Sequence, residues 1–493
     1  MPDDLEQAFH RYIYAVQSKL QKRSEEVRTK GTLRLHVNEA MELRTLVDEL
    51  ENEAEFHQLV AETRSSFSGD YHGKNESAWQ QAVKNFFRRS EYYSDLFKNK
   101  PPSADTALQN YCEALQKREI RITYLAPMEF VQFAEQSMDF GAFQIRRFSA
   151  NELRGIFRNK VNEVFYPWAD IDVEQLKDYW FVYLTELAPT PKLGWVYLPF
   201  DLSQLDRVSI EYTRYPKAIE STLQHLTLFD WQADWWKGLS TDKEEELEKG
   251  WRGFRIPFVL MIDDNLLDSP RAAPDLLRLS KEPFVDALTG EEIGESPMIY
   301  IHLKNDGTDS FKAFIQHTGN LLENLRAMEN ERPFLKIPLG YFVKAFFTKG
   351  LEQLLWHITV LEALLGEKGK GVTKRLARRV AYILGKDEDE RKAIREQFEE
   401  LYDFRCNLVH GNPFQEQTYV GHLRNARNLA RRILLWFLHY LNEIQAGPSK
   451  ESIPTREEIL KPLDLEQNSK VRALARLIDN LPVGFPYVRE WLE

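Results

Sequence analysis

A chain of 493 residues is too long for one ordinary hydrophobic core, so about three domains are expected. Hydrophobic residues at 43%, charged at 29% and aromatic at 12% describe a soluble globular protein able to build large aromatic cores. Two cysteines, Cys112 and Cys406, exclude a disulfide framework and a Cys-based zinc centre, and a net charge of −11 argues against a general nucleic-acid coat protein. Met1-Pro2-Asp3-Asp4 lacks the basic opening of a secretory signal, and no run nears the roughly 18 apolar residues of a membrane helix. A cytoplasmic protein without membrane contact is expected.

Residues 1–117 are predicted to be helical. Leu5, Phe9, Tyr12, Ile13, Val16 and Leu20 recur at three- and four-residue steps, and Leu43, Leu46, Val47 and Leu50 repeat the pattern in a second helix. A loop at Lys100-Pro101-Pro102-Ser103 precedes a short helix ending near Lys117. At Arg118 the period changes. Ile120 to Leu125 and Phe143 to Phe148 alternate as strands do, and Trp180 to Leu184, Trp195 to Leu198, Phe254 to Ile262 and Met298 to Leu303 are further strand candidates. A helix over Pro216 to Leu228 carries proline in its first turn. Residues 118–332 therefore form a mixed α/β region, a candidate sensor or regulatory domain.

From Pro333 the signal is strongly helical. Phe342, Val343, Phe346, Phe347, Leu351, Leu354, Leu355, Ile358, Leu361 and Leu365 predict one long helix that stops at Gly366. Thr373 is placed to cap a second helix running to Leu384, which Gly385 ends. A third runs from about Glu388 to Val409 with acidic residues at its start, and a fourth from about Tyr419 to Ile444. Four helices with short connections make a bundle over 333–447. Residues 448–493 read as a linker and a short helix around Val471 to Leu481. The fold class is α+β multidomain, mainly helical. Between 333 and 447 there are 18 Lys plus Arg against 13 Asp plus Glu, a balance of +5 that leaves −16 on the rest of the chain. A basic unit on an acidic body suits a domain that meets phosphates.

The third helix ends Leu401-Tyr-Asp-Phe-Arg-Cys-Asn-Leu-Val-His-Gly-Asn-Pro413. Phe404, Leu408 and Val409 anchor it, while Arg405, Asn407 and His410 interrupt it with polar groups. Five residues turn an ideal helix by about 140°, so Arg405 and His410 do not share a face. Either the helix loosens at its end or the two side chains converge only with a second copy, which favours a composite site at a dimer interface.

The Arg-x4-His spacing from Arg405 to His410, followed by Gly411, resembles the signature of HEPN domains, many of which are ribonucleases. Leu401-Tyr-Asp-Phe-Arg and the upstream Leu361-Glu-Ala-Leu-Leu-Gly366 look like the Apea-like branch, where a glutamate in the first long helix, here Glu362, accompanies the motif. The likeness covers about 115 residues, and a weaker one touches Leu125-Ala-Pro127 and Phe143 to Phe148. It implies a metal-independent RNA endonuclease without cofactor, a homodimer through the C-terminal bundle, and a role in stress or phage defence. The N-terminal two-thirds would then sense an unknown trigger ligand or protein. His410 would be the general base or acid and Arg405 the phosphate clamp. Asn407 would orient the hydroxyl or phosphate, and Glu362 would hold Arg405 or His410 in place. Many active members carry a polar residue directly after the arginine, where this chain has Cys406. The alternative is a non-catalytic HEPN module that dimerises or binds RNA without cutting it. A third reading places an unrecognised activity in residues 118–330, where no motif is visible.

Lys368, Lys370, Lys374, Arg375, Arg378 and Arg379, with Arg424, Arg427 and Arg431 on the fourth helix, are candidate RNA-backbone contacts, although a solvated face or pairing with acids such as Glu399 and Glu400 explains each singly. Gly366 and Gly371 have the separation of a phosphate-binding loop, but Val372-Thr373 stands where Lys-Ser/Thr is required. Asp263, Asp264 and Asp268 follow a strand and read as a solvated turn rather than a divalent-ion site. Trp231, Trp235, Trp236 and Trp251 are read as packed core. The histidines show no metal-ligand spacing.

Overall fold

The computed structural model describes residues 3–29, 35–67, 75–90, 92–93, 103–157, 165–193, 215–231, 253–285, 292–326, 333–348, 350–367, 369, 371–412, 416–446 and 455–465. Fifteen helices and nine short strands among them make a mainly helical α+β protein. No helix is long and apolar enough to cross a membrane. The chain forms two compact units. One holds Met1–Pro127, Arg147–Asp201 and Phe258–Arg278, and the other holds Met128–Arg146, Leu202–Pro257 and Leu279–Glu493.

In the first unit the apolar stripe read from the sequence becomes the inner face of the Asp3–Thr29 helix, with Leu5, Phe9, Tyr12, Ile13 and Val16 all buried. It packs on the Ala54–Phe67 and Ala104–Gln116 helices. Phe9, Phe87 and Tyr111 stack with ring centroids 5.3–6.1 Å apart, the close offset packing that aromatic quadrupoles favour. A fully buried carboxylate there, Glu51, is matched by a forked bond from Arg88, whose Nε and Nη2 donate to it at 2.8 and 2.5 Å. Three strands follow the helices, in the order Trp180–Pro189, Glu119–Met128, Leu260–Asp263. Leu260–Asp263 lies antiparallel at the edge, with Thr123 opposite Ile262. The Trp195 to Leu198 strand candidate lies outside the described residues.

The second unit carries short strand pairs and a helical body. Phe130–Phe133 pairs parallel with Ile299–Leu303, Ser137–Asp139 pairs antiparallel with Gln144–Arg147, and Lys281–Val285 pairs antiparallel with Glu292–Pro297. Trp231 sits in an aromatic core with Phe229, Phe254 and Phe311, as expected; Trp235, Trp236 and Trp251 lie outside the described residues. The expected long helix is in fact two, Pro333–Phe347 and Gly350–Leu365. Thr348 closes the first by donating its N–H to the Lys344 carbonyl, and Gly350 starts the second at φ +61, a left-handed backbone that glycine adopts without strain. The apolar period runs through the break because both helices bury their faces, so periodicity alone hides it. Val372–Leu384 and Glu388–Val409 follow, packed on each other, and Glu416–Ala446 packs on Gly350–Leu365. Gly371, at φ +71, stands at the cap position expected for Thr373, which lies inside the helix. The Asn305–Arg326 helix also joins this body, as does Arg456–Leu465, which packs on Val372–Leu384. The short helix expected around Val471 to Leu481 lies outside the described residues.

Candidate functional site

The Glu388–Val409 helix is built to hold its two ends. Asp387 caps the start by accepting the Glu390 N–H at 2.8 Å, and Glu390 accepts the Lys386 N–H at 2.7 Å. The other end closes by a Schellman pattern. The Asn412 N–H donates to the Asn407 carbonyl at 2.8 Å and the Gly411 N–H to the Leu408 carbonyl at 3.3 Å, with Gly411 at φ +69. His410 is therefore the C-cap residue, and its own N–H still donates to the Cys406 carbonyl at 3.0 Å. The helix does not loosen between Arg405 and His410. Asn407, expected to orient a substrate group, instead accepts the Asn412 side-chain amide at 3.2 Å and reinforces the closure.

Arg405 faces the Gly350–Leu365 helix. Its Nη2 lies 3.5 Å from Glu362 Oε1, and its guanidinium sits 5.5 Å from the Tyr402 ring centre. Tyr402 donates to the same Glu362 oxygen at 2.7 Å. Burial, reinforced by the Glu362 carboxylate, pushes the Tyr402 hydroxyl well above the ordinary tyrosine range, so it stays protonated and can only orient the carboxylate. Glu362 thus pairs with Arg405 and accepts from Tyr402 through the same oxygen. Tyr402 was quoted in the motif without a role; its place three residues before Arg405, on the same helical face, is the signal that marks it. Phe404 fixes the helix from another side by stacking on His422, with centroids 4.5 Å apart.

Arg405 is 27% exposed and donates no hydrogen bond among the described residues. The His410 side chain is exposed and likewise makes no hydrogen bond or ion pair among them. Within one chain the structure brings Arg405 to Glu362 and Tyr402 but does not bring it to His410.

The basic residues divide sharply. Arg379 is 1% exposed: its Nε and Nη2 grip the two Asp464 oxygens at 2.9 and 2.6 Å, Nη2 also meets Glu367 at 2.8 Å, and Nη1 donates to the Leu365 carbonyl. Arg378 bonds Asp464 at 2.9 Å, and Arg375 lies 3.8 Å from Glu367. Arg431 is buried against Asp230 at 2.8 Å. Arg427 is held down to about 10 by burial, which the Asp230 charge only partly offsets. Arg379, Arg431 and Arg427 are thus structural groups rather than RNA-backbone contacts, because a cation already desolvated inside the fold cannot meet a solvated phosphate. Lys374 is exposed, Arg424 is half-buried, and Lys368 and Lys370 lie outside the described residues.

The aspartates after the Leu260–Asp263 strand are bound up internally: Asp264 accepts the Arg121 N–H at 2.9 Å and pairs with Lys117 at 2.8 Å, and Asp268 accepts from the Asn265 amide at 2.9 Å. Among the described residues no group of three or more His, Cys, Asp or Glu side chains is placed to hold a metal ion. Compared with family models, curated proteins and solved structures, the chain finds no match.

Proposed function

We propose that the C-terminal bundle is a metal-independent RNA endonuclease of HEPN type, acting as a homodimer and serving as a stress or phage-defence effector. The observation that supports the reading is the pair Arg405 and His410. Both side chains are presented at one helix end without a hydrogen bond among the described residues, Arg405 beside the Glu362 carboxylate, and are turned so that one chain alone does not join them. A two-fold contact between bundles supplies the missing convergence, Arg405 of one protomer meeting His410 of the partner subunit. The His410 imidazole takes the proton of an RNA 2′-hydroxyl, whose oxygen attacks the adjacent phosphorus. The 5′-oxygen leaves with a proton, giving a 2′,3′-cyclic phosphate and a 5′-hydroxyl. The guanidinium, kept in place by Glu362, binds the phosphoryl oxygens as they gain charge. This chemistry needs no cofactor.

Cleavage of a mixed RNA pool in EDTA tests it. Arg405→Ala and His410→Ala should each lower the rate by about 10²–10⁴-fold without unfolding the protein. Mixing the two inactive variants should restore about a quarter of the wild-type rate, because half of the dimers then carry one intact composite site. Wild-type protein that dimerises and leaves every RNA intact would instead establish a non-catalytic interaction module.

A further inference from the structure

The first unit holds a pocket of about 350 Å³ that plays no part in the nuclease reading. Residues 258–263, which include the edge strand Leu260–Asp263, form one wall, and the proline-flanked segment 270–275 forms the other. Phe157, Ile171 and Phe258 supply apolar surface. The volume sits at the lower end of the range for small-molecule sites, about 300–1,000 Å³.

The register of the edge strand fixes which of its backbone groups are offered to this space. Asp264 donates its N–H to the Arg121 carbonyl at 3.2 Å, and Thr123 stands opposite Ile262. Bonded and unbonded positions alternate in an antiparallel ladder, so Leu260 and Ile262 turn their N–H and C=O groups to the neighbouring strand while Met261 and Asp263 turn theirs away. The planar peptide before Leu260 sends the Val259 carbonyl outward as well. The Asp263 carbonyl agrees with this direction, because Arg89 Nη2 donates to it at 3.0 Å. Among the described residues no strand pairs on that side. The facing segment is tied elsewhere, the Ala273 N–H donating to the Trp168 carbonyl at 2.8 Å. The Val259 carbonyl and the Met261 N–H thus stand side by side, an acceptor next to a donor, on residues that line the pocket.

The charges around the pocket are matched. Arg89 lies 3.4 Å from Asp263 and Arg278 lies 4.0 Å from Asp275, while Asp268 feels both Arg89 and Arg271. A charged ligand would lose its hydration there without gaining a counter-charge of its own. A neutral ring with a polar edge loses little and gains two backbone bonds.

We propose that this pocket binds a neutral, flat heteroaromatic ring carrying an amino donor beside a ring-nitrogen acceptor, as the bases of adenosine and cytidine do. The amino group donates to the Val259 carbonyl, the ring nitrogen accepts from the Met261 N–H, and Phe157, Ile171 and Phe258 receive the ring.

Calorimetric titration of the full chain with adenosine and with cytidine tests this, each beside its N,N-dimethylated counterpart, which keeps the ring and loses the donor, and beside its 5′-monophosphate. At least one nucleoside should bind, at least tenfold tighter than its dimethylated form and no weaker than its monophosphate. Met261→Pro removes the outward donor and keeps the ladder bonds made by Leu260 and Ile262, since an edge strand tolerates proline where its N–H faces away; it should weaken binding at least tenfold. Ala273→Phe, which fills the space, should abolish binding with the circular dichroism of the protein unchanged, and it decides if Met261→Pro fails to fold. Absence of binding by both nucleosides at millimolar concentration, equal binding of the dimethylated forms, tenfold tighter binding of a monophosphate, or full binding by Ala273→Phe overturns the proposal.

Discussion

Arg379 and Arg405 stand on neighbouring helices of one bundle, and both approach the carboxyl-terminal half of the Gly350–Leu365 helix. Arg379 donates to two carboxylates and a carbonyl and is withdrawn from water. Arg405 has one carboxylate at 3.5 Å, an aromatic face beneath it and a quarter of its surface open. A buried guanidinium whose donors go to internal acceptors is closed to a ligand by its burial, and its worth lies in the charges it neutralises. A guanidinium held by one loose pair keeps its orientation and its remaining donors. In this bundle, then, basic residues are to be judged by unused donors rather than by how densely they cluster along the chain.

The contrast is easiest to break at its buried end. Arg379→Ala leaves Asp464 and Glu367 without their shared cation, and should destabilise the second unit by about 3–5 kcal/mol in urea unfolding; a loss below about 1 kcal/mol would erase the distinction from Arg405. Tyr402→Phe removes one bond to Glu362 while keeping the ring under Arg405. It should cost about 1 kcal/mol of stability and slow RNA cleavage by up to about tenfold, and cleavage left unaltered would remove Tyr402 from the positioning of Arg405. Lys374→Ala, at an exposed position, should leave stability within about 0.5 kcal/mol, while reducing the salt dependence of RNA binding by about one charge. An unaltered salt slope would mean that no phosphate contact is made there.

Much of the bundle was legible because its signals are local. The acidic start of Glu388–Val409 and Gly411 beyond its end mark that helix to the residue, and the Glu362–Arg405 pair followed from the resemblance. The break at Gly350 was not legible, since apolar residues continue at helical spacing on both sides. Nor were the partners of the buried arginines: Asp464 lies 85 positions from Arg379 and Asp230 lies 201 from Arg431. Counting basic residues along the chain cannot separate a solvated cation from one whose counter-charge arrives from a distant segment. The bond that Asn407 accepts from the Asn412 side chain was not foreseen either, although its partner is close, because it depends on the turn that closes the helix.

The Asp464–Arg379 contact also decides where the bundle can be cut. Residues past 447 looked like a tail, yet the Arg456–Leu465 helix delivers the carboxylate that Arg379 requires, and Arg456 donates to the Leu364 carbonyl at 3.1 Å. A fragment designed to isolate the bundle for crystallisation or expression must therefore run through Leu465, or buried Arg379 keeps only one of its two carboxylates, Glu367.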